Sequence, residues 1–497
     1  MSANLESRPV TGEPVDDATA ERLAVALRCV TVSREETAAA TGNDAAAVSR
    51  EDVSRAAEGS STGPAAPGTA QPADRTPDAE FIRLAAHLEE SFPRVHAELE
   101  LERFGHSRLY TWRGADPSRT AAILLAHQDV VPAGEPSRWT HPPFAGVVDE
   151  EFIWGRGAID DKSRVLAILE AVESALADGA RPRHTIYLAF GHDEEVFGDS
   201  GAVLMAARLR ERGVRADLLL DEGGVITDGL VDGVRVPVAT IMLGEKGYAT
   251  IRLSVSEKGG HSSMPGKQTA IGRLSRAVSR IQDHQMPLRV TPVVTDMLAR
   301  LRPHLPAAKR RLLGFAGFAA PVIGRIMAAT PQTESLVRTT TAPTVIRGGV
   351  KANVLPQQAE ALINFRILPG DSVDSVLAHC RRTVRDEGVR IELVGMSSEP
   401  TPTTAPGPGF DLIARITRQV DPGVAVTTGL VPGATDSRHY DDLAETRCNF
   451  APIRLTATDL ERIHGNDERL SRVNYARLID FNRRLVAALT EPVRTAR

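Results

Sequence analysis

The chain has 497 residues, more than a single hydrophobic core usually supports, so two domains are expected. Its 59 basic and 64 acidic residues are well mixed and give a net charge of −5, which disfavours nucleic acid as a partner. The three cysteines, Cys29, Cys380 and Cys448, lie far apart without CxxC spacing. They indicate a reducing, cytoplasmic compartment, in which a metal would be bound by histidine and carboxylate.

Two segments near the start of the chain are predicted to lack fixed structure. Residues 1–20 are expected to be disordered, and residues 56–77, rich in Ala, Gly, Pro and Ser, are expected to form a flexible loop. The opening carries no basic region followed by an apolar run, so no secretory signal is expected. Helical periodicity predicts helices over residues 18–33 and 80–93.

An alternation of strands and helices begins near residue 121. Short apolar runs predict buried strands, and the amphipathic runs between them predict helices. This alternation predicts an α/β fold, with a mostly parallel sheet and helices on both faces. The strands are expected at 121–129, 184–195 and 216–224, and the helices at 163–179 and 200–213.

The pattern changes after about residue 246, where strands and helices predict a ferredoxin-like α+β unit. Residues 246–398 are therefore expected to form an inserted lid or dimerisation domain, with a helical extension over 290–336. The catalytic α/β domain would then consist of residues 21–245 and 399–497.

The most apolar segment, residues 314–329, lies within the helical extension. It is too short to span a bilayer, and Pro321 and Arg325 interrupt it, so a core or lid helix is predicted without stable membrane insertion. As part of a lid, the apolar stretch 312–329 favours an apolar acyl group or side chain in the substrate.

Each predicted strand of the α/β domain ends in polar side chains. Ligands of open α/β sheets bind at the carboxyl ends of the strands, so these side chains are expected to share one edge. Carboxylates gathered there repel one another unless a cation neutralises them, and a divalent metal is the simplest solution. The residues are His127, Asp129, Glu194, Glu195, Asp221 and Glu222 at strand ends, with Asp160 and Asp161 in a Gly-rich loop.

Histidine with several carboxylates and no thiolate suits Zn²⁺, with Co²⁺ or Mn²⁺ as alternatives. The negative charge exceeds what one ion would balance, so two ions bridged by a carboxylate are expected. A second histidine is then needed, and His464 in the polar stretch IHGNDE is the candidate. A nucleotide site is disfavoured, because GRG is followed by acids and by no Walker lysine.

Six short motifs follow one another over most of the chain. In the same order they resemble those of a co-catalytic zinc peptidase family that includes aminoacylases, bacterial glutamate carboxypeptidases, succinyl-diaminopimelate desuccinylase and yeast carboxypeptidase S. Within that family the chain is most similar to the branch of carboxypeptidase S and N-fatty-acyl-amino-acid hydrolases. The motifs are AHQDVVP, GRGAIDDKS, GHDEEVFG, LDEGG, GGHSSMP and HGNDE.

The resemblance implies a set of metal ligands in which one aspartate bridges two ions. That aspartate is Asp160, whose peptide bond to the next residue, Asp161, is commonly cis in the family. The acid after the strand LLL differs among relatives, and Asp221 is slightly favoured over Glu222. The implied ligands are His127 and Asp221 (or Glu222) for one ion, Glu195 and His464 for the other, and Asp160 for both.

The resemblance also implies catalytic and substrate-binding residues. Glu194 would act as the general base, taking a proton from the metal-bridging water and passing it to the leaving amine. Asp129 would orient the His127 ring, and His261 in GGHSSMP would polarise the scissile carbonyl, in the family across a dimer interface. The implied substrate contacts are Asn353, Arg366 and Gly433.

The implied function is hydrolysis of an amide bond next to an amino acid with a free carboxylate, by a zinc metallopeptidase or amidohydrolase. The substrate would be a small peptide, as for a carboxypeptidase or dipeptidase, or an N-acyl amino acid, as for an aminoacylase. The alternatives are a deacetylase or desuccinylase of a biosynthetic intermediate, and a metal-binding scaffold without catalysis. The inserted domain would form a homodimer, unless an enlarged lid keeps the chain monomeric.

Overall fold

The computed structural model describes residues 12–33, 76–116, 120–313 and 320–490, which form alternating strands and helices. The strands are β1 (Glu100–Phe104), β2 (Ser107–Trp112), β3 (Ala121–His127), β4 (Val147–Val148), β5 (Phe152–Trp154), β6 (Ile186–Gly191), β7 (Ala216–Asp221), β8 (Ile226–Thr227), β9 (Val238–Glu245), β10 (Gly247–Ser256), β11 (Gly260–His261), β12 (Thr340–Gly348), β13 (Val354–Leu355), β14 (Gln358–Ile367), β15 (Val389–Ser398), β16 (Ala425–Val431), β17 (Ala444–Asn449), β18 (Arg454–Leu455) and β19 (Arg469–Ser471). The helices are α1 (Asp17–Leu27), α2 (Pro77–Ser91), α3 (Pro93–Glu98), α4 (Lys162–Ala177), α5 (Ala202–Glu211), α6 (Ala270–Asp283), α7 (Pro292–Leu301), α8 (Ala307–Leu313), α9 (Ala320–Met327), α10 (Pro331–Glu334), α11 (Val373–Val384), α12 (Pro408–Val420), α13 (Ala457–Leu460) and α14 (Arg472–Thr490).

A ten-stranded sheet forms the centre of the described structure, in the order β1-β2-β6-β3-β7-β17-β9-β8-β18 with β16 paired to β9. Strands β6, β3, β7 and β17 are parallel to one another. This mostly parallel sheet with its helices confirms the predicted α/β fold class. The antiparallel hairpin of β1 and β2, which pairs with β6 at one edge, is absent from the sequence prediction.

Side chains of the central strands alternate between two apolar layers, because successive residues of a strand point to opposite faces. In β3, Leu124 and Ala126 pack into a large core shared with α1, α4, α12 and α14. Ile123 and Leu125 pack into a second core with α5 on the other face. Both faces are covered, which explains why these strands are continuous apolar runs.

A second, four-stranded antiparallel sheet has the order β12-β14-β10-β15. Along β10, Ala249, Ile251, Leu253 and Val255 are buried under α6 and α11, whereas the residues between them are half-buried. This sheet and its helices therefore enclose a hydrophobic cluster of their own. The division of the chain into domains, and a homodimer through residues 246–398, stay predictions.

The first helix begins earlier than the sequence analysis expects. Helix α1 starts at Asp17, because the Asp16 side chain accepts a hydrogen bond from Thr19 N at 2.7 Å and caps the helix. The prediction of disorder up to residue 20 is therefore wrong for the last part of that range. Residues 1–11 lie outside the described ranges.

Most of the predicted flexible loop at 56–77 also lies outside the described ranges. Its last residue, Pro77, opens α2, and the Thr76 side chain caps the helix by accepting a hydrogen bond from Ala79 N. The prediction therefore places the end of this loop one residue too late.

In its described part, the predicted helical extension consists of short helices, and residues 314–319 lie outside the described ranges. Proline opens α7 and α10, where the first turn of a helix needs no N–H donor. The inner face of α9 packs Ile323 and Met327 into an apolar cluster with Val294 and Met297 of α7, as a core helix would. No helix in the described ranges is long and apolar enough to cross a membrane.

Candidate active site

The carboxyl ends of β3, β6 and β7 bring predicted polar residues to one edge of the sheet. His127 is the last residue of β3, Glu194 and Glu195 lie in a short turn after β6, and Glu222 follows β7. The loop before α4 adds Asp160. Ligand atoms of His127, Asp160 and Glu195 all lie within 4.8 Å of one another, as a metal site requires.

Asp160 lies between two histidines that are far apart in the sequence. Its Oδ1 is 2.9 Å from Nε2 of His127, and its Oδ2 is 3.0 Å from Nε2 of His464. Oε2 of Glu195 lies 3.4 Å from the same His464 nitrogen. The peptide bond between Asp160 and Asp161 is cis. One carboxylate thus faces both imidazoles, as a bridging ligand must.

The donor atoms of this cluster fit a zinc ion. Oε1 of Glu195 is buried and has no hydrogen-bond partner among the described residues, which is costly unless a cation binds there. Imidazole nitrogen and carboxylate oxygen are both zinc ligands. His464 reaches the cluster from an exposed turn, where its φ of 60° lies in the left-handed region.

The cluster holds an excess of buried negative charge. Burial raises the pKa of Glu194 well above its ordinary value, and the charge of Glu222 raises it further. Burial likewise raises the pKa of Glu222, and Asp160 is the neighbouring charge that adds most to this. Hydrogen bonds to Asp160 and Glu195 raise the pKa of His464 to about 10. A cation among these groups would relieve the repulsion.

Asp129 has a wider role in the geometry than orienting a histidine ring. Its Oδ1 lies 3.4 Å from Nδ1 of His127. Its two carboxylate oxygens also accept hydrogen bonds from the backbone N–H groups of Glu194 and Glu195, at 3.2 and 3.1 Å. Burial opposes the charge on Asp129, but these donors, led by His127, hold its pKa below the ordinary value. One buried carboxylate therefore fixes a ring and the backbone of both glutamates.

The structure favours Glu222 over Asp221 as the acid that completes the His127 site. Both carboxylate oxygens of Asp221 accept backbone hydrogen bonds at 2.8 Å, one from Glu222 N and one from Ser437 N. Asp221 is thus engaged in holding two backbone segments. The Glu222 carboxylate is instead close enough to Asp160 for that charge to raise its pKa. We therefore propose Glu222 as the ligand, in place of the Asp221 favoured on sequence grounds.

Metal counting separates these two acids. The Glu222→Gln variant is expected to bind about one zinc ion per chain instead of about two, because one site loses its carboxylate. The Asp221→Asn variant is expected to keep both ions and to melt at a lower temperature, because its buried backbone hydrogen bonds are disturbed. Elemental analysis and thermal denaturation of the purified variants would measure both effects. The reverse pattern would restore Asp221 as the ligand.

A buried carboxylate that the sequence analysis does not single out holds the Asp160 loop. Glu468, the last residue of HGNDE, is fully buried, and its Oε1 accepts hydrogen bonds from Ile159 N at 2.8 Å and Asp160 N at 3.1 Å. Its Oε2 accepts hydrogen bonds from Nη1 of Arg156 at 2.6 Å and from a backbone N–H. The motif that carries His464 therefore also positions the bridging aspartate.

Asp436, in the stretch GATDSR, is a second residue near the base that the sequence analysis misses. A Cβ on Gly191 would lie 2.4 Å from one of its carboxylate oxygens, and a Cβ on Gly198 2.6 Å from the other. Burial and the charge of Asp221 raise the pKa of Asp436 well above its ordinary value. The glycines at the two ends of GHDEEVFG thus make room for this carboxylate.

Three further predicted residues lie on loops and a ribbon outside the cluster. His261 is exposed in the two-stranded ribbon of β11 and β13, and its Nδ1 lies 2.7 Å from Oγ of Ser263. The exposed Asn353 accepts a hydrogen bond from Ser262 N at its backbone carbonyl oxygen. Gly433 has open space where a Cβ would stand. Among the described residues no hydrogen bond or ion pair joins these three to the cluster, so their roles stay predictions.

Proteins with similar sequences and folds are peptidases and amide hydrolases. Residues 123–488 match the model of Peptidase family M20/M25/M40. The chain is 39% identical over 413 residues to probable carboxypeptidase S-like 2 of Dictyostelium discoideum, covering 82% of this chain and 79% of that protein. It is also 36% identical over 406 residues to N-fatty-acyl-amino acid synthase/hydrolase PM20D1 of Xenopus tropicalis, a match that covers 80% of this chain and 79% of that protein. The M20 family metallo-carboxypeptidase Sso-CP2 of Sulfolobus solfataricus has the same fold, with a TM-score of 0.61 and 17% identity over 83% of this chain and 94% of that one.

A mostly parallel sheet with histidine and acids at its carboxyl edge, in a chain whose relatives are named peptidases and hydrolases, indicates a hydrolase with a candidate metal site. The chain belongs to peptidase family M20/M25/M40 and is a hydrolytic enzyme. The resemblance drawn from the six motifs, including the branch of carboxypeptidase S and N-fatty-acyl-amino-acid hydrolases, is confirmed. Membership implies a divalent metal, typically zinc, for which His127, Asp160 and Glu195 are a candidate site.

Proposed function

We propose that the chain is a dinuclear zinc hydrolase that cleaves the amide bond next to an amino acid with a free carboxylate. The observation that carries this proposal is the position of Asp160 between two histidines, beside the buried, unpartnered oxygen of Glu195. When bound, zinc would polarise the scissile carbonyl and make the attacking water more acidic. The proposed ligands are His127, Asp160, Glu195, Glu222 and His464.

Glu194 is the proposed general base. Its Oε2 lies 3.9 Å from Nε2 of His127, so the carboxylate borders the ligand group, and Asp129 holds its backbone. In this role Glu194 takes a proton from the attacking water and delivers it to the leaving nitrogen. Because Glu195 is a proposed metal ligand, the two adjacent glutamates have separate tasks.

The proposed substrate class follows from what the named relatives have in common. A carboxypeptidase acts on the amide next to a terminal carboxylate, and an N-fatty-acyl amino acid carries the same group beside its amide. Arg366 on β14 is a candidate partner for that carboxylate. It is half-buried, its guanidinium lies 4.9 Å from the ring centre of Tyr248, and among the described residues it forms no ion pair. Burial lowers its pKa, so an anion there would be stabilising.

A substrate series tests this proposal. The zinc-loaded enzyme is expected to hydrolyse N-acyl amino acids or dipeptides with a free carboxylate at least about tenfold faster than the same compounds with an amidated carboxylate, because the charge-assisted contact is lost. Release of the free amino acid would be measured for acyl chains of increasing length and for dipeptides. Addition of a chelator should abolish the activity, and zinc should restore it. Equal rates on the amidated compounds would contradict the proposed substrate class.

A further inference from the structure

The segment that runs from the end of α7 into α10 has an unusual charge pattern for a protein with a net charge of −5. Residues 297–333 contain no aspartate or glutamate. The same stretch contains six basic residues, which are Arg300, Arg302, Lys309, Arg310, Arg311 and Arg325. Arg300 pairs with Asp296 and Lys309 with Asp232, which leaves four arginines to give the segment its positive charge. An exposed patch with one sign of charge attracts a surface of the opposite sign, even when the whole protein carries the same sign as that surface.

The outer face of α9 combines this charge with exposed apolar side chains. Val322 and Ile326 are 48% and 51% exposed, and Arg325 is exposed beside them. Residues three and four positions apart share one side of a helix, so these three side chains form one surface. The opposite face, with Ile323 and Met327, is buried in the cluster shared with α7. Helix α9 is therefore anchored on one side and presents a basic, apolar surface on the other.

Helix α8 adds arginines on the same part of the molecule. Lys309 of α8 donates a hydrogen bond to the Asp232 carboxylate, and the apolar cluster under α9 includes Val234. Both helices therefore contact the short segment 232–234. The side chains of Arg310 and Arg311 are exposed. Neither of these arginines, nor Arg325, forms an ion pair within the described ranges.

We propose that α8 and α9 form a docking surface for an anionic lipid bilayer. Arg310, Arg311 and Arg325 would contact the headgroups, and Val322 and Ile326 would enter the interfacial layer. A bilayer adapts to two aliphatic side chains on a short convex helix, whereas a folded acidic partner would require a matching recess. The association would be reversible and peripheral. It is independent of the proposed reaction, and its test needs no catalytic assay.

Vesicle flotation of the purified full-length protein tests this surface. The protein is expected to float with phosphatidylcholine vesicles that contain phosphatidylserine and to remain unbound with phosphatidylcholine alone. Because each basic residue near an anionic surface contributes roughly a fivefold gain in affinity, the variant R310E/R311E/R325E should bind at least about tenfold less. Raising the salt concentration should weaken binding of the wild type.

Two further variants separate local docking from general electrostatics. The variant R381E/R382E/R415E makes the same charge change at three arginines exposed outside this segment, and it should float like the wild type. The variant V322S/I326S keeps the charge, and it should reduce binding by removing the apolar contact. Three outcomes would overturn the proposal: no flotation of the wild type, equal flotation with neutral vesicles, or equal loss in both charge-reversal variants.

Discussion

The Glu194→Gln variant, like the wild type, is expected to bind about two zinc ions per chain. It is expected to hydrolyse substrate at least about 10²- to 10⁴-fold more slowly than the wild type. Glutamine keeps the shape of the side chain but cannot accept the proton of the attacking water. The proposed metal ligands are unchanged, so metal binding should persist. Elemental analysis and steady-state kinetics on the same preparation would measure both quantities.

The structure also predicts how this variant behaves without metal. Burial and the charge of Glu222 disfavour ionised Glu194, so the neutral side chain should leave the metal-free protein at least as stable as the metal-free wild type. Glu211→Gln makes the same chemical change at an exposed position and should alter neither activity nor stability. Near wild-type activity of the Glu194 variant would refute its assignment as the base.

Much of the central fold can be predicted because buried parallel strands are uninterrupted apolar runs. AAILLAH forms β3, and every one of its residues is buried. The hairpin strand β2, SRLYTW, escapes prediction because it is equally buried but carries polar residues. Its Arg108 is buried beside Glu89, with Nη1 3.3 Å from Oε1. The Glu89 carboxylate compensates the buried charge of Arg108, and this contact depends on tertiary structure, which a local sequence pattern does not show.

The residues of the candidate site also fall into those that the sequence pattern predicts and those that depend on tertiary structure. His127 ends β3, and Glu194 and Glu195 lie in the turn after β6, so the rule that ligands bind at the carboxyl ends of strands is enough to find them. The choice between Asp221 and Glu222 needs the direction and the hydrogen-bond partners of each side chain, and neither can be read from the position of two adjacent acids at a strand end. The partners of Asp221 include Ser437 N, which is distant in sequence. Roles set by such long-range hydrogen bonds cannot be predicted from spacing.

The Glu468→Gln variant is expected to lower the free energy of unfolding by about 3–5 kcal/mol and the zinc affinity by about 10- to 100-fold. The first effect arises because Arg156, 1% exposed, loses the charge of its buried partner. Burial raises the pKa of Glu468, but Arg156 opposes this shift, and an unpaired buried guanidinium costs more than the burial of the pair. The second arises because an amide has one acceptor oxygen, whereas Glu468 accepts hydrogen bonds at both oxygens, including one from Asp160 N. Denaturation and competition with a zinc chelator would measure the two effects.

A double variant and a matched control separate positioning from stability. In R156M/E468Q no buried charge is left unpaired, so the stability loss should be smaller than the sum of the single losses. Zinc affinity should stay low, because the backbone N–H groups of Ile159 and Asp160 still lack their carboxylate. The control Asp421→Asn breaks another buried pair, with Arg454, and should cost stability without changing zinc affinity. If zinc affinity followed stability in all of these variants, Glu468 would hold the fold and have no separate effect on the bridging aspartate.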